Sequence, residues 1–269
     1  PSIFNSQSVI VDAFNRYNYN DKFYTVLGVN FQDNQMESFS FPFGEAEFSQ
    51  SINPDNAHFT ITDPYANIVY VSDFGLNVNA GIRLNNHSDY GSYLVYNINP
   101  SYKKELEFGY LKGLVSYSTA FITPSLYQLF EPNYGNTDLK PEENQTFEIG
   151  GELYIEDKAT LSLVYFNRNE EQFIDFIDTG GFVFQYQNNV TYTTLDEDLS
   201  LRIPEVKVNI RLDYEVSNLT LVSLSYQYND DRDDVVFNNA TFENDAVTLE
   251  SYGLLDFYIS HKIVNNRMT

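Results

Sequence analysis

Apolar and polar side chains alternate residue by residue along this chain in segment after segment, which is the period of an extended strand with two unlike faces. Phe23, Thr25, Leu27, Val29 and Phe31 fall on one side of the first strong segment, and Tyr24, Gly28, Asn30 and Gln32 on the other. In the second, Leu76, Val78, Ala80, Ile82 and Leu84 oppose Asn77, Asn79, Gly81, Arg83 and Asn85. From Thr146 on, Phe147, Ile149, Leu153 and Ile155 share a side, with Thr146, Glu148 and Glu152 opposite. In the fourth, Val206, Val208, Ile210, Leu212 and Tyr214 oppose Glu205, Lys207, Asn209, Arg211, Asp213 and Glu215. Weaker alternation marks 8–17, 66–73, 92–100, 109–121, 159–169, 182–192, 219–229 and 251–263. Together these predict an all-β chain of about twelve or thirteen strands with no substantial helix.

The predicted connections fall into two kinds. Short polar turns lie at 18–21, 74–75, 156–158 and 217–218; longer ones span 33–65, 122–144 and 229–249, with shorter partners at 86–91 and 175–181. An antiparallel up-and-down barrel crossing a membrane has this form, with short turns on one rim, long loops on the other, and strands of ~9–11 residues greasy outside and polar inside. On that reading Leu76, Val78, Ala80, Ile82, Leu84, Val206, Val208, Ile210 and Leu212 face lipid, and Arg83, Asn85, Lys207 and Arg211 face the lumen. Tyr214 falls where an aromatic girdle meets the headgroups. The alternation of rims breaks once. If 182–192 is a single wall strand, the acidic run 194–204 lands on the short-turn rim, which predicts that roughly two dozen residues are missing near Asn188 and Asn189.

Composition narrows the class further. With 42% apolar residues in 269, the chain has enough apolar surface for a core, yet Tyr and Phe number 22 each while Trp and Cys are absent. No run of 18 apolar residues occurs, so no membrane-crossing helix is expected, and no charged-then-apolar amino-terminal segment marks a signal peptide. The net charge of −23 argues against nucleic acid, whose phosphates need a basic groove. Without cysteine there is no disulfide framework, thiol catalysis or cysteine-bound metal. His58, His87 and His261 lack metal-ligand spacing, and no cofactor is implied.

The stretch from Ala120 to Gly151 resembles a segment of the TonB-dependent outer-membrane receptors, through Pro124, Leu126, Tyr127, Leu129, Gly135, Asn136, Leu139, Lys140, Pro141, Glu142, Glu148 and Gly150. Residues 70–102 resemble another, with Gly81, Arg83, Asn86, His87, Ser88, Gly91 and Pro100 in matching places, and 202–215 a third. The resemblance implies that residues 1–269 form one piece of a 22-strand, plugged transporter barrel, with the plug and the last strands absent. It implies residence in the outer membrane of a Gram-negative bacterium, and capture of a scarce, bulky nutrient by the outer loops. The TonB energy-coupling complex would then rearrange the absent plug. The wording SYSTAFITPSLYQLF and the short Asn-rich loops look most like the vitamin B12 receptors of Bacteroidetes type, so a corrinoid such as cobalamin is the implied ligand; siderophore receptors share the same segments and form the alternative. A secreted all-β binding or adhesion module is the alternative from another class.

Within the long 122–144 loop, Tyr127, Phe130 and Tyr134 are the candidate ligand-binding residues, because aromatics supply large contact area at little rotamer cost; packing of the loop on itself, or membership of the outer girdle, is their structural alternative. Lys140 with Pro141, Glu142 and Glu143 reads as an ion-pair cluster opening a strand, with ligand gating as its functional alternative. Asp230, Asp231, Asp233 and Asp234 supply oxygens for calcium but lack EF-hand spacing, so no metal site is assigned. Glu148, Glu152, Lys207, Arg211, Asp213 and Glu215 suit lumen ion pairs. His87 beside Ser88 would point to the opposite face of a strand, so no catalytic residues, and no enzyme, are expected.

Overall fold

The computed structural model describes residues 2–41, 44, 47–156, 158–179, 183–188, 204, 206–238, 240 and 243–262. The alternating segments form strands β1 (Ser2–Asn18), β2 (Phe23–Ser40), β3 (Ser49–Ile52), β4 (His58–Val71), β5 (Leu76–His87), β6 (Gly91–Leu106) and β7 (Gly109–Ile122). After a short helix, α1 (Leu126–Phe130), come β8 (Glu142–Ile155), β9 (Ala159–Glu171), β10 (Ile174–Asp178), β11 (Phe184–Asn188), β12 (Val206–Ser217), β13 (Thr220–Asn229), β14 (Arg232–Asn238), β15 (Glu243–Leu249) and β16 (Tyr252–His261). One antiparallel sheet runs in the order β1-β2-β4-β5-β6-β7-β8-β9-β12-β13-β16, with β3 added to β2; β10–β11 and β14–β15 are separate hairpins. Among the described residues the sheet does not close on itself.

The registers carry one apolar face across the whole sheet. Leu27 pairs with Ala66, Ala66 with Ile82 and Ile82 with Tyr96; farther along, Val115 pairs with Ile149, Ile149 with Tyr165, Tyr165 with Val208 and Val208 with Tyr228. Among the described residues no second layer covers this face: Leu27 is 60% exposed, Ile82 55% and Leu94 59%. A soluble adhesion module would bury such a face against another sheet; a membrane barrel gives it to lipid. The opposite face holds Asn30, Asn67, Arg83, Asn97, Ser116, Glu148, Lys207 and Arg211, as the alternation predicts. Tyr214, near the short-turn rim on the apolar face, is 48% exposed.

Every connection at one rim is short, and local chemistry closes it. The Asn20 side-chain oxygen accepts from the Lys22 and Phe23 amides at 2.9 Å, an Asx turn. Gly75 sits at φ +98°, where a Cβ would lie 1.9 Å from the Lys103 carbonyl oxygen. The other rim carries the long connections, and there the apolar core forms. Met36, Ile52, Ala57, Phe59, Ile61 and Leu126 make one buried cluster and Leu129, Leu139 and Ile174 a second, with Phe130 packed against both. Phe59 and Ile61 pair with Asn34 and Gln32 on the polar face, so the helix-bearing connection folds inward over that face.

Three predictions of element placement are corrected. Within 182–192, the strand Phe184–Asn188 is not part of the wall. This strand, β11, pairs with β10, and β9 pairs directly with β12. The acidic run from 194 to 203 and the junction following Asn188 lie outside the described residues. The long connection expected at 33–65 shrinks to 41–57, because β2 and β4 continue beyond the outward apolar band, where the apolar residues Met36, Phe59 and Ile61 switch to the inward face beneath the helix-bearing connection; Asp33 and His58 meet there at 3.2 Å. The 229–249 connection contains the β14–β15 hairpin.

Two wall ladders are interrupted at a proline: β4–β5 skips Asp63 and Pro64, and β6–β7 has the longer lapse. Between β6 and β7 the register lapses from Asn99 to Pro100 and again beyond Asn97, where the Thr119 hydroxyl accepts from the Tyr96 amide at 3.0 Å in place of a strand partner. Pro100 has no amide proton to give.

Candidate ligand-binding site

The 123–141 connection is held by its own side chains. Ser125 caps α1, accepting from the Gln128 amide at 3.2 Å, while Gln128 Oε1 accepts from the Ser125 amide at 2.8 Å. This is a capping box, present in the sequence as Ser-x-x-Gln and absent from the strand-based reading. Leu126 and Leu129 point into the two core clusters. The chain then doubles back: Gly135 donates to the Glu131 carbonyl at 2.8 Å and Asn136 to that of Gln128 at 2.8 Å. A Cβ on Gly135 would lie 2.6 Å from the Glu131 oxygen, so only glycine fits. The buried Glu131 carboxylate accepts from the Asn133 and Tyr134 amides at 2.7 and 2.6 Å.

The β10–β11 hairpin docks along this connection. Tyr186 donates its amide to the Tyr134 carbonyl at 3.1 Å, and the Asn136 side chain donates to the Tyr186 carbonyl at 2.9 Å. Asn188 accepts from the Lys140 amide at 2.7 Å and donates to the carbonyls of Lys140 and Gln172 at 2.8 and 2.6 Å. Leu139 is 2% exposed beneath. Lys140 and Pro141 thus deliver the chain into β8, whose first residue, Glu142, accepts from the Ile174 amide at 2.9 Å. Burial raises the Glu142 carboxyl above its ordinary value, with the Glu170 charge adding to it and the Ile174 hydrogen bond opposing.

This docking assembles a row of rings at the long-loop rim. Phe4 of β1 meets Tyr127 edge-on at 5.3 Å, and Tyr127 meets Tyr186 at 6.4 Å. Tyr186 contacts Phe176 at 5.0 Å, and Phe176 contacts Tyr134 at 5.3 Å and Phe184 at 5.6 Å. Tyr127, Tyr134, Phe4, Phe176 and Phe184 are all exposed at their outer faces, and burial of the Tyr127 ring raises its hydroxyl pKa. A cleft of about 420 Å³, lined by Phe4, Ser6, Asn34, Met36, Phe59 and Tyr127, opens beside it. Of the three aromatic candidates, Tyr127 and Tyr134 join this platform, while Phe130 is taken up by internal packing. Phe4, Phe176, Phe184 and Tyr186 were missed. Phe176, Phe184 and Tyr186 flank the Gly180–Gly181 pair in IDFIDTGGFVFQYQN, a hairpin signal in itself.

The remaining candidates are scattered. Asp230 accepts from the Tyr228 hydroxyl and the Asp231 amide at 3.1 Å each, and Asp233 from Thr248 at 3.3 Å. Asp233 and Asp234 are consecutive in β14, so their side chains diverge; among the described residues no three acidic or histidine side chains are placed to hold a metal ion. On the inner face Glu152 accepts from Tyr110 at 2.6 Å, and Arg211 pairs with Asp213 at 2.8 Å. His87 is buried between Phe59 and Tyr90 and accepts from the Asp89 amide at 3.1 Å, whereas the Ser88 hydroxyl accepts from the Thr60 amide at 3.2 Å. The two side chains are committed to different neighbours.

Comparison with known proteins agrees with this geometry. The family described as "TonB dependent receptor-like, beta-barrel" matches residues 2–194. The vitamin B12 transporter BtuB of Vibrio cholerae is 25% identical over 282 residues, covering 95% of this chain and 43% of that protein. The chain therefore spans less than half the length of the curated relatives it matches. Among solved structures, the siderophore receptor PirA from Acinetobacter baumannii superposes with a TM-score of 0.56 at 15% identity, covering 98% of this chain and 49% of its own. The copper transporter OprC gives 0.61 at 14%, again over 98% and 49%. At those identities the likeness is one of fold.

Proposed function

This chain belongs to the TonB-dependent receptor-like β-barrel family, and on that premise we propose that the protein it forms takes up a scarce, bulky nutrient, with a corrinoid such as cobalamin as the ligand. The family consists of receptors and transporters rather than enzymes, and its barrels lie in the outer membrane of Gram-negative bacteria. The described residues form barrel wall together with its outer hairpins. Energy would come from the TonB complex acting on a plug outside this chain.

The observation that carries the proposal is the row of rings from Phe4 through Tyr127, the half-buried Tyr186 and Phe176 to Tyr134, exposed at all but Tyr186. It lies at the long-loop rim, on a connection folded toward the polar face. Rings held edge to edge by a docked hairpin are pre-organised, so a large planar ligand can stack on them with little ordering cost. The likeness to a vitamin B12 transporter favours the corrinoid; the solved siderophore receptors motivate a ferric siderophore as the second reading. Equilibrium binding of cyanocobalamin to the complete detergent-solubilised receptor, beside a ferric siderophore, separates the two. Binding of the siderophore alone would overturn the corrinoid assignment and leave the barrel untouched.

A further inference from the structure

On the apolar outward face, below the middle of the wall, lies a groove of about 540 Å³ lined by Leu76, Pro100, Tyr102, Leu111, Gly113 and Ile149. Tyr102 pairs with Gly113 and Gly113 with Gly151, so two neighbouring strands present no side chain at one level of the wall. Nothing inside the chain requires this. A Cβ on Gly113 would meet no atom within 4 Å, and one on Gly151 would meet only the Lys112 carbonyl oxygen at 3.7 Å, an ordinary contact. Neither glycine has positive φ. Glycine inside a strand weakens it, and here what it leaves is open space on a surface that faces hydrocarbon.

The groove has a polar end. Lys104, which also lines it, pairs with Leu111 one step nearer the short-turn rim than Tyr102, about 7 Å away at the rise of a strand. Short turns mark the periplasmic side, so the ammonium group sits at headgroup level. Among the described residues no carboxylate pairs with Lys104, whereas Lys103, on the other face, is held by Glu105 at 2.7 Å. We propose that this groove is a binding site for one phospholipid of the periplasmic leaflet, with an acyl chain over Gly113 and Gly151 and the phosphodiester on Lys104. Bulk lipid would wet a smooth wall equally well; a notch ending at an unpaired cation selects a chain with an anionic head.

The test is native mass spectrometry of the complete receptor in non-ionic detergent, titrated with palmitoyl-oleoyl phosphatidylglycerol, independently of which nutrient it carries. The wild type should retain one lipid. Gly113→Leu, which fills the groove, should cut retention by about tenfold while unfolding at or above the wild-type temperature, since the site accepts a side chain without strain. Lys104→Gln should cut it roughly fivefold, the worth of one cation near an anionic surface. Should Gly113→Leu fail to give the heat-dependent gel shift of an assembled barrel, Gly113→Ala and Lys104→Gln carry the comparison. Equal retention by the wild type and the assembled variants overturns the proposal, as does a Gly113-dependent dimer cross-link, which would assign the groove to a second copy.

Discussion

Tyr127 and Tyr134 lie seven positions apart in sequence but at two points of one aromatic row, joined through Tyr186 and Phe176. Replacing both by alanine should weaken ligand binding by ~1–3 kcal/mol in total, the range for lost ring contacts and apolar area, with the barrel gel shift unchanged. Undiminished affinity would remove them from the site. His87 makes a separate prediction. It follows Leu84, the last apolar residue on the outward face of β5, and so stands above the membrane-embedded part of the strand. Burial holds its imidazole below 6.5, with the Asp89 charge partly opposing. The folded state therefore favours the neutral ring. Its stabilising contribution is complete above the unfolded imidazole's pKa of ~6.5 and is lost as pH falls from there through the lower folded-state pKa. Protonation also removes the acceptor for the Asp89 and Tyr90 amides; hydrogen exchange at those two amides should quicken at about pH 5.5 relative to about pH 8 beyond the intrinsic trend, and a ratio unaffected by His87→Phe would refute the link.

At the scale of elements, the hairpin β10–β11 depends on Asn188, which holds both Lys140 and Gln172. Asn188→Ala leaves those groups without their partner at a cost of roughly 1–3 kcal/mol. The loss should be local: faster proteolysis within the hairpin, weaker ligand binding, and an intact wall. Simultaneous collapse of the wall would show that the hairpin is part of its folding unit. The wall strands were legible because lipid on one side and water on the other impose a two-residue period on every strand between them. Beyond the outward apolar band that asymmetry inverts: Asp33 to Ser40 is mostly polar, and Phe59 and Ile61 turn their apolar side inward, so these paired extensions do not continue the lipid-facing pattern. The hairpin was hidden for a related reason. Phe176, Phe184 and Tyr186 alternate like wall residues, but their surroundings are the rings of a neighbouring loop, and one-dimensional periodicity does not distinguish lipid from a loop.

Across the whole molecule, the apolar face predicts an asymmetry between neighbours. Ile210 pairs with Leu163 and Tyr226 on the outward side, while Asn209 lies on the polar side. Ile210→Arg should cost ~2–4 kcal/mol in a lipid bilayer, and Asn209→Arg little; equal costs in reversible unfolding would refute the membrane orientation. Spin labels at Val208 and Asn209 should likewise report hydrocarbon and water, respectively. The sheet is also uneven along its circumference. Where Pro100 interrupts the β6–β7 ladder and Thr119 substitutes for a backbone partner, fewer cross-strand bonds share any load. The β4–β5 ladder skips only the two pairs at Asp63 and Pro64, so the β6–β7 lapse is the longer one; a wall interrupted in this way is not an isotropic tube, and curvature and tension concentrate where stiffness is least. When the barrel flexes in its membrane, strain should gather between β6 and β7 and spare the continuous ladders on either side, making this line the natural crease of the wall.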